Sequence, residues 1–334
     1  MRKRTLVVTI AVILCGVILG SGYLYYKHIT TINACDINII FKKSQTIEQV
    51  AKQLQEKNII KDEGTFIYHA NKKGLKESVK AGNYIINPRT NLNDLITRFK
   101  NGKSDFTIIT IPEGYTLYQI GTILEKSNIV KTQDVLNEKL DVLKTNTLLL
   151  NQKDVYYDLE GYLFPDTYFI LNGSTKEEII NIMVNRFKMV FSDKNKARAK
   201  ELGLDVNEVI TIASLIEKET ANDSEKSIIS GVIYNRLKKG MLLQVDAAVI
   251  YAKTRGEKSL DKVYYNDLKI KSKYNTYLYK GLPPGPISSP GKASIEAALY
   301  PQKNDYLYYL ANGNKHVFSK TYNEHLINEN KYIK

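Results

Sequence analysis

Apolar residues along the chain follow two patterns, one continuous and one periodic. The continuous one is N-terminal: from Thr5 to Tyr26 no residue is charged, and such a run is long enough to cross a bilayer as a helix. Arg2, Lys3 and Arg4 precede it, which by the positive-inside rule keeps the N-terminus in the cytoplasm and exports the rest. Tyr23, Tyr25 and Tyr26 suit the outer interface. A cleaved signal peptide ending near Gly20 or Gly22 is the rival reading, although its apolar core would be long for one. Both readings place the bulk of the chain outside the cytoplasm. Residues 1–30 are therefore expected to form a cytoplasmic N-terminus and an N-terminal transmembrane helix.

The periodic pattern follows. Asp36–Phe41 predicts a strand. Thr46 then opens a helix with Gln49 three residues on, the capping-box spacing. Ile47, Val50, Ala51 and Leu54 give its apolar face at i, i+3, i+4, i+7. Glu63–Lys72 predicts a second helix and Gly82–Asn87 a strand stopped by Pro88; Leu92, Leu95, Ile96 and Phe99 predict a third helix. Residues 36–105 thus read as a small α/β domain and 106–334 as a larger α+β domain. In the latter, Ser174–Phe191, Val206–Thr220 and Ser224–Lys238 predict helices. Tyr274–Pro290 predicts a loop, Ala293–Leu299 a short helix and Asp305–Ala311 a strand of alternating aromatics. Thr46–Lys61 also aligns with Thr116–Lys131 without a gap, sharing the Thr, the Gln three on, and a closing Asn-Ile-Ile/Val-Lys. Each copy follows a β-rich run. Duplication of a strand–helix unit and convergence on a common helix pattern both account for it.

Composition narrows the partners. The 43% hydrophobic fraction is that of a folded protein. A net charge of +13 favours an anionic neighbour, and export removes nucleic acid from the candidates, leaving a membrane surface or a cell wall. Cys15 and Cys35 are too few for a disulfide scaffold. With no HExxH or CxxC spacing and four histidines, neither a catalytic metal nor a cofactor is expected.

Candidate chemistry centres on the helix Asn207–Thr220. At about 100° per residue, Glu219 falls roughly 60° from the centre of its apolar face, and Glu217 roughly 100° round on the other side. Two glutamates two apart cannot aim at one site. Glu219 is the better placed for partial burial, which disfavours the anion and raises a carboxyl pKa, as a general acid near neutral pH requires. Glu-Lys-Glu is also an ordinary solvated helix end, and the helix alone does not separate the two readings.

The surrounding strings do. Ala213-Ser214-Leu215-Ile216-Glu217-Lys218-Glu219-Thr220, Val232-Ile233-Tyr234-Asn235-Arg236-Leu237 and Leu243-Gln244-Val245-Asp246 resemble, in order, the endolytic murein transglycosylases, the YceG-like family. Tyr274-Asn275-Thr276-Tyr277 and Gly281-Leu282-Pro283-Pro284-Gly285 continue the match, as does Leu159-Glu160-Gly161-Tyr162-Leu163-Phe164-Pro165-Asp166-Thr167-Tyr168 upstream. The resemblance covers nearly the whole chain and implies an anchor, a small LysM-like domain and a YceG-like catalytic domain. It implies a lyase of the cytoplasmic membrane that cuts the MurNAc–GlcNAc bond within nascent peptidoglycan strands. Such an enzyme leaves 1,6-anhydro-MurNAc ends and limits strand length, with peptidoglycan synthases as the partner class to seek. The family's catalytic glutamate falls on Glu219. Where the family carries tryptophans this chain has Tyr162, Phe164 and Tyr168, aromatic faces still able to stack on sugar rings. Gln244, Asn235, Asn275 and Tyr277 are the polar candidates for substrate binding.

Other readings stay open. Asp246 or Glu160, if opposite Glu219, would supply the second carboxylate of a lysozyme-like hydrolase. Their structural readings are an N-cap for Ala247–Ala252 and a surface or ion-paired carboxylate in a turn. Arg236 reads either as a clamp for a substrate carboxylate or as a surface ion-pair partner. From a different class comes an anchored wall-binding protein without catalysis.

Overall fold

A computed structural model describes residues 2–30, 32, 37–42, 45–75, 79–86, 90–102, 105–139, 153–220, 222–260, 262–313 and 315–332; the side chains of 2–8, 10–12 and 29 are outside the description. Cys35, Asp36, Asn87 and Pro88, used in the reading above, lie outside the described residues. α1 (Arg2–Thr30) is one continuous helix, and Ile13, Leu14, Val17, Ile18, Leu19 and Leu24 on it are exposed. Among the described residues no helix is long and apolar enough to cross a membrane. The undescribed side chains of α1 include much of the first half of the Thr5–Tyr26 run.

The chain divides into two compact units, Met1–Ile108 with Phe169–Gly173, and Ile109–Tyr168 with Ser174–Lys334. In the first, the order is β1 (Ile37–Phe41), α2 (Ile47–Glu56), α3 (Glu63–Lys72), β2 (Gly82–Ile86), α4 (Leu92–Asn101). β1 and β2 pair antiparallel, with Ile37 opposite Ile86 and Phe41 opposite Gly82. The spacing that predicted α2 and α4 is the spacing of their buried faces: Ile47, Val50, Ala51 and Leu54 on one, Leu92, Leu95, Ile96 and Phe99 on the other. Phe99 meets both Phe41 and Tyr84 edge-on at 4.9 Å between ring centroids. Burial of each such large side chain contributes about 1.5–3 kcal/mol.

The repeat follows a strand that, like its partner strand, has its residues divided between the two units. β3 (Phe106–Thr110) pairs with β4 (Thr167–Leu171). α5 (Leu117–Lys126) then reproduces α2: Thr46 and Thr116 both close capping boxes with the Gln three residues on. The buried faces correspond position for position, Leu117, Ile120, Gly121 and Leu124 against the four of α2. Asn58 and Asn128 both take left-handed backbone, at φ 55° and 56°. There Asn is tolerated because its short polar side chain suits that region. Ile59 and Ile129 then donate back to Leu54 O and Leu124 O at 2.9 and 3.0 Å. The likeness therefore extends from letters to backbone hydrogen bonds, through α6 (Thr132–Leu136), which follows α5 as α3 follows α2.

The remaining elements are α7 (Lys176–Val190), α8 (Asp193–Glu201), α9 (Val206–Glu219), α10 (Asp223–Lys238), α11 (Asp246–Thr254) and α12 (Lys292–Leu299). The antiparallel hairpin β5 (Tyr308–Asn312) and β6 (Lys315–Ser319) and the helix α13 (Tyr322–Tyr332) follow. α9 is the centre, contacted by α8, α10, α11 and α12. The sequence predicts one buried face for it; instead every residue from Val209 to Ile216 is buried. Neighbours on all sides leave no solvated face. Of the two polar residues in that stretch, Ser214 Oγ donates to Thr211 O at 2.8 Å and accepts from Ile287 N at 3.1 Å, while Thr211 Oγ1 has no hydrogen-bond partner among the described residues. The last strand also differs from expectation. β5 begins at Tyr308, because Asp305–Leu307 runs along α10.

Candidate active site

α9 ends where Thr220 turns to extended backbone, at φ −148° and ψ 137°, and this leaves Glu219 half-buried in the last helical turn. Two clefts meet at it. One, of about 470 Å³, is lined by Arg236, Gln244, Tyr277, Tyr308, Tyr309 and His316 among others. The other, of about 550 Å³, is lined by Thr116, Gln119, Lys218, Tyr251 and Ile287 among others. Glu219, Asp246 and Ala311 border both, so the carboxyl has room for a chain on either side of it. A larger cavity of about 830 Å³ between α7, α8, α10 and α12 contains neither carboxylate. Three of the four cations lining it are paired within the protein, Arg186 with Asp166, Lys226 with Asp223 and Lys292 with Glu296.

Burial pushes the Glu219 carboxyl up to about 7. The Tyr309 hydroxyl, donating to Glu219 Oε2 at 3.0 Å, pulls it down, and the charge of Asp246 pushes it up again. The last turn of a helix, with its free carbonyls, also disfavours a negative charge. The group is thus poised to hold a proton near neutrality and release it, the property asked of a general acid.

The loops around Glu219 are set by the strings that the sequence singled out. Gln244 N donates to Thr276 O at 3.1 Å, and Val245 N to Thr276 Oγ1 at 2.9 Å. This short ladder holds Gln244 in left-handed backbone at φ 53°, a strained state that persists only where the surroundings impose it. Gln244 and Asp246 consequently face outward while Leu243 and Val245 are buried. Tyr277 donates its hydroxyl to Asp246 Oδ1 at 2.6 Å. Asp246 is the first residue of α11, with Val245 at the cap and no side-chain cap bond. The expected N-cap is therefore absent, and the carboxylate faces the clefts.

The string on α10 positions the hairpin. Asn235 Nδ2 donates to Asn304 O at 2.9 Å and Tyr306 O at 3.0 Å, and Arg236 Nε to Leu307 O at 2.6 Å. At the other end of α10, Glu225 accepts from the His316 backbone N–H at 3.0 Å and lies 2.7 Å from its ring Nδ1. Burial raises the Glu225 carboxyl, but the His316 bonds and charge outweigh this and hold it below the usual range. Between these two grips Tyr309 is held against Glu219.

Several expected site residues take other roles. Asn235 is one half of that grip rather than a ligand for substrate. Asn275 is fully buried, its amide donating to Leu268 O and Ile270 O, both at 2.9 Å. Tyr162 lies in the core and donates to Asn207 Oδ1; Tyr168 is buried and donates to Phe164 O. The proposed sugar platform on Tyr162, Phe164 and Tyr168 is thus interior, because α7 and α9 cover the segment. Gly161, at φ +85°, permits this close approach: a Cβ there would come within 2.6 Å of Pro286. Gln244 and Tyr277 alone of the six expected binders line a cleft with Glu219. Arg236 is buried and bonded to Leu243 O and Gln244 Oε1 rather than at the surface.

The other carboxylates are separated by environment. Glu217 Oε2 accepts from Gly291 N at 2.9 Å and Ser294 Oγ at 2.6 Å, at the start of α12, and its Oε1 lies 3.6 Å from Lys226 Nζ. It ties helices together. Glu160 is not the surface carboxylate expected of a turn. It is 1% exposed, accepts from Leu117 N and the Tyr251 hydroxyl at 2.9 Å each, and is raised by burial to about 8. Tyr308, Tyr309 and His316 escaped the sequence reading. Their only signal there is a tyrosine-rich strand followed by a histidine, and Tyr309 is 90 residues from its partner.

Comparison with known proteins places this arrangement. An endolytic murein transglycosylase of Bacillus subtilis (strain 168) is 36% identical over 333 residues, spanning 95% of this chain and 91% of that protein. One of Streptococcus pneumoniae serotype 2 (strain D39 / NCTC 7466) is 33% identical over 87% of this chain, which spans 58% of that relative's length. The crystal structure of a yceG-like protein from Listeria monocytogenes superposes with a TM-score of 0.63 at 35% identity, over 87% of this chain and 98% of that one. The model of the YceG-like family matches residues 39–331, and with the strings around Glu219 accounted for in space, the chain belongs to the YceG-like family.

Proposed function

We propose that the protein is an endolytic peptidoglycan lytic transglycosylase with Glu219 as its catalytic acid and base. The observation that carries this reading is the half-buried Glu219 carboxyl, raised to about 7, at the junction of two clefts and hydrogen-bonded by Tyr309. Protonated Glu219 donates to the glycosidic oxygen between MurNAc and GlcNAc, and the bond from MurNAc C1 to that oxygen breaks. The carboxylate then takes the proton of the MurNAc C6 hydroxyl as O6 bonds to C1, closing the 1,6-anhydro ring without water. Tyr309 stabilises the intermediate carboxylate, and Gln244 and Tyr277 contact the sugars. A cleft continuing on both sides of the acid suits cuts within a strand, and hence control of strand length. Residues 36–105, with strand–helix–helix–strand order, serve as a LysM-like domain, and 106–334 as the catalytic domain. The uncharged Thr5–Tyr26 run anchors the chain in the cytoplasmic membrane with its bulk outside, beside peptidoglycan synthases.

Asp246 motivates a second reading. It borders both clefts with Glu219, and a second carboxylate activating water would make the enzyme a hydrolase. Mass spectrometry of peptidoglycan digested with residues 28–334, wild type beside Glu219→Gln, separates these readings. Anhydro-ended fragments from the wild type alone are expected. Reducing ends would establish the hydrolase; binding without release of fragments would establish a non-catalytic wall protein. Full activity in Glu219→Gln would remove the residue from the mechanism.

A further inference from the structure

The last helix, α13, has no buried residue. Its N-terminus is capped within the chain: Thr321 Oγ1 accepts from Glu324 N at 3.2 Å, and Glu324 Oε2 accepts from Thr321 N at 3.4 Å and Lys320 N at 2.8 Å. Asn328 Nδ2 donates to Ser319 Oγ at 2.9 Å, holding the helix on β6. These bonds fix α13 in place without making it part of a core.

One face of α13 belongs to the cleft beside Glu219. Tyr322, His325 and Glu329 line that cleft, and their i, i+3, i+7 spacing sets them on a single helical stripe. Tyr308 of β5 continues the stripe as a stack. The His325 ring lies 5.3 Å from Tyr308 at an interplanar angle of 24°, and the Arg236 guanidinium lies 5.2 Å from the same Tyr308 ring. Tyr322 tilts against both, 5.8 Å from Tyr308 and 6.4 Å from His325. Tyr322 is 57% exposed, so a ring fixed by its neighbours still offers surface to the cleft. His325 Nδ1 is buried without a hydrogen-bond partner among the described residues.

We infer that the α13 stripe of Tyr322, His325 and Glu329, backed by Tyr308, is a sugar-binding wall that holds the glycan strand to one side of Glu219. The inference rests on the proposed glycan-cleaving function and names the surface that gives it grip. Three features select a carbohydrate. The wall is continuous with the cleft of the acid. Its aromatic faces are rigid and amphipathic, able to cover the apolar face of a pyranose ring at little entropic cost. Glu329, whose carboxylate lies 3.9 Å from His325 Nε2 and is partly exposed, adds acceptor capacity for ring hydroxyls and acetamido groups. The wall also supplies the stacking platform that the buried Tyr162 and Tyr168 do not.

The test measures binding of peptide-free glycan strands by calorimetry in the full chain carrying Glu219→Gln, so that cleavage does not interfere. Adding Tyr322→Ala is expected to weaken binding about ten-fold, as loss of one anchoring aromatic does. Tyr322→Phe should restore most of it, because the ring face acts rather than the hydroxyl. Tyr265→Ala, at a 78% exposed tyrosine outside both clefts, is the control and should leave binding unchanged. Melting temperatures should move little in Tyr322→Ala, since Tyr322 is 57% exposed and α13 has no buried residue. Undiminished binding in Tyr322→Ala, or equal weakening in Tyr265→Ala, would overturn the wall. The catalytic reading fails separately, if wild type releases no fragments while the glycan still binds and Tyr322→Ala still weakens it.

Discussion

Glu219 carries two opposing influences whose signs can be tested one at a time. The Tyr309 hydroxyl favours its carboxylate, and the Asp246 charge favours its protonated form. A general acid with a pKa of about 7 is active while protonated, so turnover should decline as pH rises through about 7. Tyr309→Phe removes an interaction with the anion, and that limb of the pH–rate profile should move to higher pH while the maximal rate falls. Asp246→Asn removes a repelling charge and should move the limb to lower pH. Shifts in the same direction for both would rule out this account of the site. Glu160 offers a different test, on stability. Its carboxyl titrates at about 8 in the folded chain and near the ordinary 4.5 once unfolded, so between those values the folded chain binds the extra proton. Stability should therefore decline as pH rises from about 5 to 8. Glu160→Gln should flatten that decline in melting curves. Glu160→Ala, which orphans Leu117 N and the Tyr251 hydroxyl, should cost about 2–4 kcal/mol across the range.

Helices α9 and α10 divide the work of the site between them. α9 is buried along its length and delivers Glu219 at its C-terminal end, whereas Glu217, two residues earlier, is spent on the start of α12. α10 grips both ends of the segment that carries Tyr309, through Asn235 and Arg236 at one end and Glu225 at the other. Asn235→Ala leaves the half-buried carbonyls of Asn304 and Tyr306 without their donor, a loss of about 1 kcal/mol. Because the damage reaches the reaction through Tyr309, turnover should fall with little change in KM for glycan. A rise in KM at unchanged turnover would return Asn235 to the role of a substrate ligand.

For the whole molecule, the charge pattern of the first thirty residues and the exposed apolar side chains of α1 concern where the enzyme works. The full chain should remain with membranes through alkaline carbonate extraction, while residues 28–334 should be released. Release of the full chain by carbonate would leave the anchor without support. If the chain is so anchored, its +13 charge would meet an anionic membrane surface or wall, and salt should weaken such an attraction.

The readable parts of this protein are those whose cause is local. Capping boxes at Thr46 and Thr116, the apolar spacing of α2 and α4, and the limits of α3 depend on residues within one or two turns. Each was legible in the letters. The place of Glu219, at the end of a helix and beside two clefts, was likewise foreshadowed by local letters, a helix end and an ordered set of strings. Burial is not local: Tyr162, Tyr168 and Asn275 look like site residues as letters, and only the elements packed over them make them interior. Nor does any spacing reveal that Tyr309 reaches Glu219, or that Tyr308 and α13 form the cleft wall. Those contacts close over long stretches of chain, and it is the packing of α10 against residues 298–307 that brings them to Glu219.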